Sequence, residues 1–163
     1  MSAGARVLTV AAAAAACAWA LFDWVYLPQS CNAAVSELAR RTTLVGESRG
    51  DFQYVTRAKK NLEDLLALRP QCTTELQIPV LIATNEESLG RYEEAIRSYQ
   101  DALTIDRRPE LYVAIGDALI QLGRSDEAVE LYVTAARFNP GVLENGASEE
   151  VVRRAAERLR AGH

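Results

Sequence analysis

Two stretches of the chain place apolar and polar residues with the same helical period. In "GRYEEAIRSYQDALTI", residues 90–105, Ala95, Tyr99 and Ala102 recur four and three residues apart, which puts them on one face of a helix. In "GRSDEAVELYVTAARF", residues 123–138, Ala128, Tyr132 and Ala135 do the same. Each stretch opens on a Gly, a helix-stop signal for whatever precedes it. Upstream, "RAKKNLEDLLALRP" (57–70) repeats the stripe with Ala58, Leu62 and Leu65, and "NAAVSELARRTTLV" (32–45) supplies a preceding helix broken by Gly46 to Gly50. Downstream, "SEEVVRRAAERLR" has Ser148 as an N-cap, acids in its first turn, Arg158 and Arg160 near its end, and a stripe of Val151 or Val152, Ala155 and Leu159. Every segment has a helical period, so the chain is predicted to be all-α.

The two leading stretches are related by a shift of 33 residues. Leu89, Gly90, Arg91, Glu94, Ala95, Tyr99 and Ala102 meet Leu122, Gly123, Arg124, Glu127, Ala128, Tyr132 and Ala135 unchanged. Such a period with helical spacing inside it predicts stacked helical hairpins. Small residues let a neighbouring backbone approach, and the aromatic fills the wider gap one turn away. Gly116, inside a helix, needs such a packing reason, because it costs about 1 kcal/mol relative to Ala there.

These residues resemble the tetratricopeptide repeat family, whose pattern has small residues at repeat positions 8, 20 and 27, an aromatic at 24 and often Pro at 32. Gly116, Ala128, Ala135, Tyr132 and Pro140 match it in the last repeat, with Tyr112 at position 4. Ala83, Ala95, Ala102 and Tyr99 match it in the repeat before, where Pro79 and Arg107 depart from it; Pro79 falls in the first turn of a helix and is tolerated there. The resemblance implies a short α-solenoid of about three hairpins: a degenerate repeat over 31–72, repeats over 76–108 and 109–140, and a capping helix over 148–161, within a helical domain of residues 31–163.

The resemblance also implies a protein-binding scaffold whose first helices line a concave groove. The groove positions fall on Gln77, Val80, Thr84, Glu87 and Ser88, then on Glu110, Val113, Asp117, Ile120 and Gln121. Some family members clamp a partner's C-terminal carboxylate with Lys, Arg and Asn. Here Val80, Thr84, Val113 and Asp117 stand at those places, so the expected ligand is an apolar or basic segment.

Residues 7–22, "VLTVAAAAAACAWALF", are uncharged. Two readings compete. An uncleaved anchor over 7–27 has about the 20 residues that span a bilayer, with Trp19, Trp24 and Tyr26 at the interface and Pro28 ending the helix. A cleaved signal peptide would use "AWA" at 18–20 as its site. The anchor is preferred, because cleavage after Ala20 leaves the aromatic stub "LFDWVYLP" in need of burial. Residues 1–30 are accordingly read as anchor and linker.

Cys31 and Cys72 flank the first hairpin, whose antiparallel helices bring both to one end. They are read as a disulfide, with two free thiols as the alternative; a disulfide implies an oxidising space. With only Lys59 and Lys60 against sixteen Arg, the composition suggests a GC-rich bacterial source. Together these are read as a bacterial inner-membrane, single-pass protein with its domain in the periplasm, an adaptor or accessory subunit of a membrane complex; the alternatives are an exported soluble carrier or assembly chaperone and, with free cysteines, a cytoplasmic-facing receptor.

Charge and chemistry narrow the classes further. Residues 40–60 carry six bases against Glu47 and Asp51, a net +4, while residues 61–163 carry 11 bases against 18 acids, a net -7. A nucleic-acid binder would normally show a dominant basic footprint on its folded domain, so none is expected, and the small basic segment reads as a solvated face. The single His is the terminal His163, and no metal-ligand spacing, phosphate loop or nucleophile–base pairing is present in the sequence. No enzyme activity, cofactor, metal or small-molecule substrate is expected.

Overall fold

A computed structural model describes residues 27–47, 51, 53–146 and 148–161. The described residues form seven α-helices: α1 (Leu27–Glu47), α2 (Tyr54–Leu68), α3 (Gln77–Ser88), α4 (Tyr92–Ile105), α5 (Pro109–Gln121), α6 (Ser125–Phe138) and α7 (Glu149–Ala161). Short 3-10 segments follow α2 (Arg69–Gln71) and α6 (Pro140–Asn145). Each helix packs on the next, α1 also reaches α3, and α7 closes the stack against α6. The all-α solenoid of hairpins is therefore observed.

The turn inside each hairpin explains the two matched glycines. Gly90 and Gly123 adopt φ of +72° and +75°. At the first, Arg91 N donates to Glu86 O (2.9 Å) and Gly90 N to Glu87 O (2.9 Å); at the second, Arg124 N donates to Leu119 O (2.9 Å) and Gly123 N to Ile120 O (3.0 Å). Both are Schellman closures, in which a left-handed residue satisfies the last carbonyls of α3 and α5. Gly123→Ala forces a Cβ into that conformation and should destabilise the fold by about 1–2 kcal/mol. Urea unfolding measures this, and an unchanged midpoint would contradict it.

The repeat signature is buried as its spacing requires. Ala83, Ala95, Ala102, Ala128 and Ala135 are inaccessible, and Tyr99 and Tyr132 fill the gaps between helices. Tyr132 is clasped on two sides: a Cβ at Gly116 would lie 2.5 Å from its Cε1, and a Cβ at Gly146 would lie 2.7 Å from its Cε2. In the degenerate repeat Ala58, Leu62 and Leu65 are buried, and the two leucines join Val35, Leu38, Ile78 and Ile82. A buried polar seam runs beside that core. Asn61 Nδ2 donates to Thr42 Oγ1 (2.8 Å), and Asn85 Nδ2 donates to Thr42 Oγ1 (2.9 Å) and Leu81 O (2.7 Å).

Cys31 and Cys72 are bonded, with Cα atoms 5.9 Å apart. The disulfide ties the start of the first hairpin to the segment leading into α3. The terminal helix takes the expected capping role: Val151 and Ala155 are buried, Ser148 Oγ accepts from Val151 N at 3.5 Å, and Arg154 pairs with Asp126 of α6 at 2.5 Å. Of the two valines offered for its stripe, Val151 faces the core and Val152 is half-buried.

Pro28 lies within the described span of α1, Leu27–Glu47. The segment 7–26, with Trp19, Trp24 and Tyr26, lies outside the described residues. Among the described residues no helix is long and apolar enough to cross a membrane.

Candidate interaction groove

The first helices of the two matched repeats, α3 and α5, carry the ten predicted groove residues. Three of them converge. Glu87 at the end of α3, with Asp117 and Gln121 on α5, lines a cleft of about 230 Å³ together with Tyr92 from the start of α4. The Schellman turn at Gly90 makes this possible, since it reverses the chain within three residues and sets Tyr92 beside Glu87.

The two acids are held by the repeat aromatics. Tyr99 Oη donates to Glu87 Oε2 at 3.2 Å, and Tyr132 Oη donates to Asp117 Oδ1. Burial, and then the Glu87 charge, push the Tyr99 phenol well above its ordinary value. It therefore stays protonated and remains a donor. Tyr99 and Tyr132 thus have two functions: their rings fill the gaps between helices, and their hydroxyls aim carboxylates into the groove. Glu86, on the neighbouring side of α3, is shifted upward by burial, against which the hydrogen bond from buried Ser98 (2.7 Å) acts.

The other predicted residues divide. Val80 and Ile120 are half-buried and pack against the core, and so supply apolar margin. Thr84 Oγ1 and Ser88 Oγ turn back onto Val80 O (3.0 Å) and Thr84 O (2.9 Å) of their own helix. Gln77 and Glu110 are exposed in the first turns of α3 and α5, outside the cleft. Val113 is a correction: it is 5% exposed and belongs to the core, because α5 is packed on both α4 and α6. Groove positions carried over from a family pattern do not register how tightly one particular stack closes over them.

Sequence reasoning missed Tyr92 and Gly146. Tyr92 follows the Gly-Arg turn and interrupts no periodicity, so only the turn geometry reveals it. Gly146 lies after the second 3-10 segment, whose six residues are too few to show a period. Among the described residues no group of three or more His, Cys, Asp or Glu is arranged to hold a metal ion.

Comparison with known proteins agrees with this architecture. Residues 109–141 and 87–111 each match the family described as Tetratricopeptide repeat. Over 91 residues, 55% of the chain, it is 31% identical to the TPR repeat-containing protein YpiA of Bacillus subtilis (strain 168), covering 21% of that protein. The chain thus spans about a fifth of the length of this relative. Among solved structures, the thermophilic TPR protein TTC0263 of Thermus thermophilus is similar at a TM-score of 0.63 and 18% identity, over 86% of this chain and 68% of that one. The Yersinia enterocolitica type III secretion chaperone SycD, in complex with a peptide of the translocator YopD, is similar at a TM-score of 0.51 and 19% identity, over 77% of this chain and 92% of that one. At these identities the structural likeness is one of fold. Tetratricopeptide repeats form protein–protein interaction scaffolds that are generally non-enzymatic, and residues 87–141 of this chain match such repeats.

Proposed function

We propose that this protein is a membrane-anchored adaptor or accessory subunit that holds a basic segment of a protein partner in its groove, on the oxidising side of a bacterial inner membrane. The observation that carries the reading is the convergence of Glu87, Asp117 and Gln121 beside Tyr92. Two carboxylates held by phenol donors give a fixed negative site; a guanidinium or ammonium entering it gains charge-assisted hydrogen bonds and the Tyr92 ring. Val80 and Ile120 offer apolar margin to flanking side chains. The disulfide supports the oxidising compartment, since such bonds rarely persist in the cytosol. The uncharged run of residues 7–22 supports the anchor.

A second reading, an exported soluble carrier, is favoured by one specific observation: SycD, of similar fold, is a secretion chaperone seen with a translocator peptide. The two readings differ in whether the N-terminal segment is retained. C-terminally tagged protein purified from mildly solubilised native membranes should keep its full mass and bring down integral membrane subunits in fixed ratio. A bait cleaved near Ala20, with scattered soluble clients, would favour the carrier.

The groove itself is tested by charge. Gln121→Lys adds a positive charge to the cleft without touching the Tyr132–Asp117 bond, and should weaken partner capture about tenfold or more. Asp117→Lys should act in the same direction and more strongly. Capture unchanged in both variants would remove the groove from the account.

A further inference from the structure

Ile105 and Phe138 hold the same repeat position, 33 residues apart, as the last residues of α4 and α6. Their surroundings differ. In the second matched repeat Tyr112, early in α5, stacks on Phe138 with ring centroids 6.0 Å apart and planes inclined by 13°. In the first matched repeat Pro79 stands in the place of Tyr112 and Ile105 in that of Phe138, so both rings are replaced by smaller side chains. A cleft of about 220 Å³ lies there, with Cys72, Ile78, Pro79 and Ile105 in its walls and the carboxylates of Glu75 and Asp101 at its margin. The two copies of the repeat thus give the cleft a template: the next hairpin keeps an aromatic pair at the corresponding place.

The place where α1 begins brings an aromatic segment to this cleft. α1 starts at Leu27, and one turn later Cys31 is bonded to Cys72, part of the cleft wall. Leu27 lies only about 6 Å along the helix axis from Cys31. The six residues before it, "LFDWVY" (21–26), carry Phe22, Trp24 and Tyr26. Tyr26 adjoins α1 and has no chain with which to turn back, whereas Trp24 has three residues of chain, a reach of about 10 Å. Trp24 also brings an N–H donor that Phe22 lacks, and a buried indole N–H normally takes a partner. The acidic margin supplies acceptors. Asp101 already pairs with Arg69 at 2.7 Å, but an ionised carboxylate accepts from more than one donor.

We propose that Trp24 of the same chain docks in this cleft, its ring against Pro79 and Ile105 and its indole N–H donating to the carboxylate of Glu75 or Asp101. Trp24 then belongs to the helical domain rather than to the bilayer interface. Residues 21–26 stay on the chain whether the N-terminal segment is retained or cut after Ala20, so the docking stands independently of both readings of function and of the groove. It covers Ile105, which is otherwise 41% exposed. Where the segment is retained as an anchor, the docked ring fixes the attitude of the solenoid to the bilayer, because the domain is packed against the root of its own anchor instead of swinging from it.

The test places the photoreactive ring of benzoylphenylalanine at position 24 of the full chain in phosphatidylcholine–phosphatidylglycerol bilayers and maps the adducts by mass spectrometry. Docking predicts an adduct within the same chain, to Pro79 or to the segment 101–105. Ile105→Asp, a change at a partly exposed position, puts a charge in the cleft wall and should abolish that adduct. Pro79→Tyr combined with Ile105→Phe rebuilds the ring pair of the next hairpin inside the cleft; it should abolish the adduct as well, with helical circular dichroism and melting temperature no lower than in the parent chain. An adduct that survives both variants would overturn the assignment. So would adducts that fall on lipid alone, on a second copy of the chain or on another protein, or an equal yield of the 101–105 adduct from a probe at position 19.

Discussion

Removing the Cys31–Cys72 bond, by reduction or by the Cys31→Ser/Cys72→Ser double substitution, should lower the stability of the folded chain by about 4 kcal/mol. The bond joins residues separated by 41 positions, and the chain-entropy estimate for a loop of that length gives this value. The loss falls on the weakest part of the stack. The first repeat lacks the Ala-Tyr-Ala signature, and its core is a patch of Val, Leu and Ile side chains alongside a polar seam. Hydrogen exchange after reduction should therefore rise first in α1 and α2 and last in α5 and α6. In protein from its native host, alkylation without reductant should label neither Cys31 nor Cys72. Full labelling of both in folded protein would contradict the oxidising location, and uniform exchange along the stack would contradict the distribution of stability.

Tyr132→Ala should cost about 4 kcal/mol, the usual range for emptying a fully buried aromatic site. Tyr132 is 0% exposed, lies between Gly116 and Gly146, and bonds Asp117, so the substitution opens a cavity and removes the hydroxyl that bonds a groove carboxylate. Gly116 supplies a sharper form of the same test. In the native chain Gly116→Ala places a Cβ 2.5 Å from the fully buried ring of Tyr132. Overpacking costs about 1–3 kcal/mol, which outweighs the gain of about 1 kcal/mol from helix propensity. With Tyr132→Ala already present, the clash is gone and only the propensity remains, so Gly116→Ala should become stabilising by about 1 kcal/mol. That reversal of sign in a double-mutant cycle is the signature of direct contact. Additive effects would show that the glycine is retained for some reason other than the tyrosine.

Much of the fold was legible because its determinants are local. The 33-residue shift from Gly90 to Gly123 appears in the sequence as identity and in the structure as two Schellman turns of nearly equal φ. Gly116 announced itself by standing inside a helix at a real cost. The disulfide was legible from topology, since two helices of a hairpin return the chain to its start. What was not legible depends on how far neighbouring helices close over each other: Val113 was placed in the groove and lies in the core. Asn61 and Asn85, 24 residues apart, form a seam that neither helix pattern shows alone.

The groove claim is tested most directly by placing a photocrosslinking residue at Gln121, inside the cleft, and for comparison at exposed Glu63 on α2, in the full chain expressed in its native host. The account predicts a discrete adduct from Gln121 alone, with the crosslinked peptide of the partner carrying Lys or Arg, and loss of that adduct when Asp117→Lys is added. Adducts of equal yield from both positions, or a Gln121 adduct that maps to an acidic segment, would contradict it.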